Sequence, residues 1–405
     1  MRSKEDECNK LENEFKEYAG GIEEQLNRVL VVKKQEKKKI KELKNELAAT
    51  QTQMLLHEIP GVYRTEINDL LITALARTIS QYAGSESIVM GLEGHGREPV
   101  NEDLDTSRTV GWFTALFPLL VNVSASKSIA DDIKLVKEQL RNVPDKGVGY
   151  GVLKYLNKQP ELAGQPWDLV FNYLGQIDNS VSGNAMLSLA KEPTGRPVAP
   201  DYQVNDKIAV NCFVEGGKLK VSWSYSSLHF NETTIQNLAA NLLQELEEII
   251  THCITQKGAF LPTPSDFGLG KDVTPLELDH FLDDEVRGRP RRSVIESISR
   301  LSGLQEGMLF HYLYDQGSSA YIEQFTCELS GLNLDIFKQS WRYILDSHSI
   351  LKSAFYHDKF KIPVQCVYAN VEIPISVIDY SHLNSKELVA AIQNLDTADL
   401  KRPFD

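Results

Sequence analysis

Ser87-Ile88-Val89-Met90-Gly91-Leu92-Glu93-Gly94-His95-Gly96-Arg97-Glu98 passes from apolar to polar within residues 87–98. The run Ser87–Met90 reads as a strand. Gly94 and Gly96 let the backbone turn tightly behind it. Two carboxylates, an imidazole and a guanidinium emerge together at this turn. The end of a strand is where α/β folds place reactive groups. A partly desolvated carboxylate there gains proton affinity and suits removal of a proton from carbon. The same spacing also suits a simple salt-bridged turn, and the residues alone do not choose between the two.

Outward from this stretch, residues 48–255 read as one α/β unit. Ile67, Leu70, Leu71, Ala74, Leu75 and Ile79 form the apolar face of a helix, with Thr65 as its cap and Gly84 as its stop. Ile129, Ile133, Val136 and Leu140 mark a second helix. Asn231 opens a third, faced by Ile235, Leu238, Leu242, Leu246 and Ile249. Further strands are expected over Trp167–Tyr173, Lys207–Glu215 and Lys218–Tyr225, with Gly216-Gly217 joining the last two as a tight hairpin.

Residues 1–47 have a different composition, with 12 Lys/Arg and 11 Asp/Glu, acids concentrated first and bases second. Leu11, Phe15, Tyr18, Ile22, Leu26, Val29, Ile40, Leu43 and Leu47 recur at helical spacing. This charged helical segment suits a short hairpin, a weak coiled coil or a solvated helix. Its charge sorting makes self-association an expectation. Residues 256–296, with GAFLPTPSDFGLG at 258–270, read as a linker, and RGRPRR at 287–292 as a solvated basic run. Residues 297–405 begin a second α/β unit. Alternation at Tyr321, Glu323, Phe325, Cys327 and Leu329 predicts a strand. Gly331 reads as a turn and Leu334–Ser347 as a helix. Further strands are expected near Ile350–Tyr356, Val364–Tyr368 and Ile373–Ile378.

Composition narrows the function classes. The 405 residues hold 43 Lys+Arg and 56 Asp+Glu, a formal charge of −13. Such a balance repels phosphate backbones, so no nucleic-acid partner is expected. Five dispersed cysteines form no C-x-x-C pair, which argues against a metal or redox motif and suits a reducing compartment. The charged N-terminus is no secretory signal. The apolar runs at 70–76 and 115–123 fall far short of the ~20 residues a spanning helix needs. The expected location is cytoplasmic, with no membrane partner. P-loop, G-x-S-x-G and H-E-x-x-H patterns are all missing from the sequence.

Three more clusters carry polar groups: Arg108–Thr114 (RTVGWFT), Pro144–Gly151 (PDKGVGYG) and Phe171–Gln176 (FNYLGQ). The glycine-rich one does not lead from a strand into a helix as a phosphate loop should. In this order, the EGHGRE turn and these three stretches resemble the late motifs of the epimerization domain of nonribosomal peptide synthetases. YRTEINDLLITAL at 63–75 resembles that family's preceding helix. LSGLQEGMLFH at 301–311 and DSHSILKSAF at 346–355 resemble the first two motifs of a condensation domain, with Gly303 where proline is common. TPSDF at 263–267 resembles the linker that joins such domains.

The resemblance implies an α/β fold of the chloramphenicol-acetyltransferase-like, condensation-domain superfamily, in two incomplete copies. It implies inversion of the α-carbon of an aminoacyl or peptidyl thioester. The substrate hangs on the phosphopantetheine arm of a partner carrier domain, and no cofactor or metal is bound directly. Other synthetase modules are implied partners. Glu93 falls on the family's catalytic glutamate. Asn172 and Tyr173 fall on the FNYLG positions that hold the thioester or its enolate. His95, Arg97 and Trp112 are expected to line or support the substrate site. Both families also carry an HHxxxDG motif, and this sequence has none. The expectation is therefore a back lobe of one domain joined to a partial front lobe of the next, with residues 1–47 in the place of the missing lobe. Such a fragment is inactive alone; alternatively it is a non-catalytic docking piece of a split synthetase.

Overall fold

A computed structural model describes residues 40–98, 105–123, 128–177, 205–314, 321 and 323–400. The chain divides into two units, Met1–Thr263 and Pro264–Asp405. The expected helix over residues 1–39 lies outside the described residues.

The first unit is built on a six-stranded mixed sheet. Its strands are β1 (Ile40–Glu46), β2 (Ser87–Gly94), β3 (Ala115–Asn122), β4 (Leu169–Gln176), β5 (Ile208–Glu215) and β6 (Lys218–Ser226), in the order β1-β6-β5-β4-β2-β3. The pairs β2/β4 and β4/β5 are parallel and the others antiparallel. Register sets Phe117, Leu92, Phe171, Val210, Trp223 and Leu43 side by side across all six strands. This apolar row packs under three helices: α1 (Ile67–Ala83), α2 (Ile129–Arg141) and α3 (Glu232–Thr255). Because side chains alternate along a strand, the next row points the other way, away from the helices.

Local chemistry explains most boundaries. Gly216 and Gly217 both take positive φ, +61° and +72°, as a two-residue hairpin of this hand requires. Gly84, at φ +62°, stops α1. The cap of α1 is Glu66 rather than Thr65: the Glu66 side chain accepts from the Asp69 backbone, and the Glu66 N–H donates to Asp69 at 2.7 Å. A reciprocal pair satisfies two helix-end donors, where a lone hydroxyl satisfies one.

A further sequence expectation is corrected here. Ile40–Glu46 is an edge strand paired with β6, not the end of a charged helix. Leu43 belongs to the apolar row because strand period, not helix period, governs it. The Pro-interrupted run Ala115–Asn122 is likewise an edge strand, the position where a sheet tolerates proline. Arg108–Thr114 forms no strand and stays irregular.

The three helices are tied by buried charge. The Arg77 guanidinium of α1 meets Asp132 of α2 and donates through Nε to Glu245 of α3 at 2.6 Å. Gln81 donates to the other Glu245 oxygen at 2.6 Å. Arg141 grips Asp69 with two bonds of 3.0 and 2.8 Å. Buried charges survive only when paired and hydrogen-bonded.

In the second unit β9 (Ile295–Arg300), β10 (Ser353–Tyr356) and β11 (Val364–Tyr368) form an antiparallel sheet ordered β10-β11-β9. The supposed linker, residues 256–296, is largely folded into this unit. It carries helix α4 (Pro275–Asp283), with a Thr274/Glu277 capping box, and a short ribbon of β7 (Glu285–Val286) and β8 (Arg289–Pro290). Arg300 fastens it by bonds to the Leu269 carbonyl at 2.6 Å and Asp272 at 2.5 Å. The basic run is not solvated as a whole. Arg291 is buried against the Phe281 ring and bonds the Tyr368 hydroxyl, while Arg292 pairs with Asp279 and Asp283. The Leu334–Ser347 helix is present, preceded by a turn at Gly331 with φ +70°. Residues 323–329 and 373–378 form no strand. Among the described residues no helix is long and apolar enough to cross a membrane.

Replacing Arg77 with Ala leaves Asp132 and Glu245 buried without their cation. Such a change costs about 3–5 kcal/mol. Urea denaturation of Arg77→Ala beside the parent chain checks this, and a loss below about 1 kcal/mol would show that the triad does not tie the helices.

Candidate active site

Glu93 stands near the carboxyl end of β2, and Asn172 lies midway along the parallel strand β4, one residue past the last β2–β4 register pair. Leu92 and Phe171 are register partners, so the residues after them lie level on the face away from the helices. There the Asn172 Nδ2 donates to Glu93 Oε2 at 2.8 Å. Glu93 is half-buried. Desolvation holds its carboxyl above the usual glutamate range, and the negative charge of Asp206 adds to the effect.

Beyond Glu93 the chain makes the glycine turn. Gly96 has φ +65°, and a Cβ there would fall 1.6 Å from the Phe113 carbonyl oxygen. Only glycine lets residues 94–98 lie this close to the irregular segment 105–114. His95 Nε2 pairs with Glu98 at 3.0 Å, and Lys146 reaches the other Glu98 oxygen at 3.4 Å. Arg97 donates to the Thr106 carbonyl and, at 2.8 Å, to the Thr109 carbonyl. Its guanidinium also lies over the Phe113 ring, 4.1 Å from the centroid. Arg97 therefore clasps segment 105–113 to the turn. The segment's tip is open to solvent: Val110 is fully exposed and Trp112 is 91% exposed.

The structure thus brings Glu93 and Asn172 into contact and groups His95, Arg97 and Glu98 on the adjoining turn. Trp112 stands on the exposed loop. Tyr173, next after Asn172, turns to the helix side, level with Cys212 and packed against the main core. Burial raises its phenol pKa. Burial also pushes the Cys212 thiol up to about 12, which leaves it unreactive.

Two residues escaped the sequence reading. Trp167 lies against Gly91, where a Cβ would fall 2.6 Å from the indole nitrogen. That indole donates to Asp206 at 3.1 Å, and Gln165 donates to the same oxygen at 2.5 Å. Asp206 sits in no motif, and only folding brings it near β2. A separate cavity of about 220 Å³, lined by Ile79, Tyr82, Ile88, Leu169 and Phe230 among others, opens at the opposite strand ends from Glu93. Among the described residues no cluster of His, Cys, Asp and Glu could hold a metal ion.

Comparison with known proteins gives the family. The model of the condensation domain family matches residues 12–267 and 295–405. The chain belongs to the condensation-domain family, and within it to the condensation and epimerization type found in nonribosomal peptide synthetases. It is 34% identical over 89% of its length to bacitracin synthase 3 of Bacillus licheniformis, and 36% identical over 64% of its length to gramicidin S synthase 1 of Brevibacillus brevis. It spans 6% and 24% of the lengths of these two relatives. Among solved structures, the epimerization domain from the third module of tyrocidine synthetase B matches 56% of this chain and 52% of its own, with 34% identity and a TM-score of 0.51. The expected fold class and family resemblance hold. The first family match begins at residue 12, so most of the segment read as a separate element is family sequence.

A folded-state pKa held above the unfolded value means that the native chain binds that proton more tightly. The resulting stability is full below the unfolded glutamate pKa and is lost as pH rises through the folded value. Glu93→Gln keeps the acceptor for Asn172 and removes the desolvated charge. The variant is expected to be more stable than the parent at pH 7–8, with the difference shrinking as pH falls into the acid range. Thermal melts across pH check this, and a pH-independent difference would overturn the assignment.

Proposed function

We propose that the first unit carries the glutamate half of an epimerization site for aminoacyl or peptidyl thioesters borne on a carrier domain. The observation that supports this best is the Asn172–Glu93 contact between parallel β2 and β4, with Glu93 held above its ordinary pKa. A thioester acidifies its α-proton. In its ionised form Glu93 takes that proton from one face of the α-carbon, and the electron pair moves onto the thioester oxygen as an enolate. A carboxylate with raised pKa is a stronger base than an ordinary one and returns the proton readily. The Asn172 amide nitrogen carries two N–H donors. One is spent on orienting Glu93, and the second is suited to the enolate oxygen, where a donor counts most as charge develops.

Inversion needs a proton on the opposite face as well. No HHxxxDG histidine occurs in this sequence, so that group is supplied by protein outside these 405 residues. The substrate arrives on the phosphopantetheine arm of a carrier domain, and neighbouring synthetase modules are the working partners. His95 and Glu98 support the turn. Arg97 acts by holding the 105–113 segment rather than by binding substrate. Tyr173 braces β4 from the helix side. The second unit, which matches the same family over 295–405, contributes to peptide-bond condensation.

The test loads a carrier domain with an L-aminoacyl group and assays the chirality of the product. The chain alone is expected to give no turnover. Joined to a lobe bearing HHxxxDG it is expected to epimerise, and Glu93→Gln then lowers turnover by about 10²- to 10⁴-fold, the range for a lost general acid–base group. Full activity of Glu93→Gln in the joined form would refute the role of Glu93.

A further inference from the structure

The face that carries Glu93 also carries a bare glycine with a tryptophan laid on it. Gly91 is two residues before Glu93 and points the same way. Its missing side chain is what admits the Trp167 indole, since a Cβ would meet the ring at 2.6, 2.7 and 2.9 Å. The indole N–H is thereby aimed at Asp206 Oδ1, at 3.1 Å, and Gln165 Nε2 meets the same oxygen at 2.5 Å. Both are neutral donors, and each favours the ionised carboxylate.

We propose that Gly91, Trp167 and Gln165 form a built seat for Asp206, and that Asp206 is a positioning residue acting on Glu93 through a fixed negative charge. This deepens the epimerization reading, on which its catalytic meaning rests. Among the described residues, the other charged groups near Glu93 are engaged elsewhere. His95 and Lys146 face Glu98, Arg97 is bonded to the Thr106 and Thr109 carbonyls, and Lys207 pairs with Asp168 at 2.5 Å. From β3 the register partner of Glu93 is Leu116, which is apolar, and β4 offers the Asn172 amide. Burial raises the Glu93 pKa most and, among the described residues, the Asp206 carboxylate is the charge that adds to it. The chemical consequence is a glutamate that ionises later and is a stronger base once ionised. A purely apolar pocket would achieve the same only by excluding the substrate's own polar thioester.

The seat can be tested on the 405-residue chain without any turnover. Glutamate side-chain carboxyl carbons are followed by NMR across pH, with Glu93→Gln identifying the Glu93 resonance. Asp206→Asn, which keeps the shape, is expected to move the Glu93 midpoint down toward the ordinary glutamate range. Trp167→Phe, which removes the indole donor, is expected to move it the same way by less. Raising salt in the parent chain is expected to lower the midpoint as well, because salt screens a charge–charge effect and leaves desolvation in place. An unchanged midpoint in folded Asp206→Asn would overturn the proposal. Should that variant fail to fold, a parent midpoint that is indifferent to salt would overturn it. A midpoint that moves as expected, alongside a joined enzyme indifferent to Glu93→Gln, would instead sink the epimerization reading and leave the seat standing.

Discussion

The parallel pairing of β2 with β4 is the constraint on which the site depends. Two parallel neighbours run in the same direction, and here Leu92 and Phe171 close the paired stretch, so Glu93 and Asn172 come next, level with one another. Parallel strands cannot be joined by a tight turn and need a crossover. Between β2 and β4 the chain therefore runs out through edge strand β3, returns through α2 and passes Pro144–Gly151 before β4 begins. The RTVGWFT and PDKGVGYG stretches lie along that crossover. Gly147 shows the closeness this requires: at φ +85°, a Cβ would fall 2.1 Å from the Phe117 ring.

The helical layer keeps the crossover in place. Arg77 joins one helix before β2, one within the crossover and one after β6 by meeting Asp132 and Glu245 together. Apolar packing alone allows helices to slide, because dispersion is not directional. A buried guanidinium between two carboxylates has few acceptable geometries. The role of Arg77 is thus to fix the register of the layer beneath which the sheet's apolar row is assembled.

The two faces of the sheet divide the work. The row Phe117–Leu92–Phe171–Val210–Trp223–Leu43 meets the helices and supplies the burial. The next row, with Leu116, Glu93, Asn172, Asn211, Ser222 and Lys44, faces the other way and is mostly polar. A single residue step separates stability from chemistry. The same step puts Tyr173 on the opposite side from its neighbour Asn172, although the two are adjacent in one motif.

Much of this was legible in the sequence. Helix period identified α1, α2 and α3, and the paired glycines 216 and 217 fixed the β5–β6 hairpin. The motif order marked Glu93 and Asn172 as partners although 78 residues lie between them. Other features were not legible because their cause is non-local. Residues 40–46 mimic a charged helix in sequence, and become a strand because β6 offers an open edge to pair with. The segment at 256–296 has the composition of a linker, yet Arg300 and the buried Arg291 draw it into the second unit. Asp206 carries no local signal at all. Its position beside β2 depends on an indole that fits only where residue 91 lacks a side chain. The sequence determined which residues can form helices, turns and acid–base groups, since those follow from period and side-chain chemistry. Only the tertiary structure decided which of them share a face and which charges reach Glu93, because those depend on strand pairing across the sheet rather than on distance along the chain.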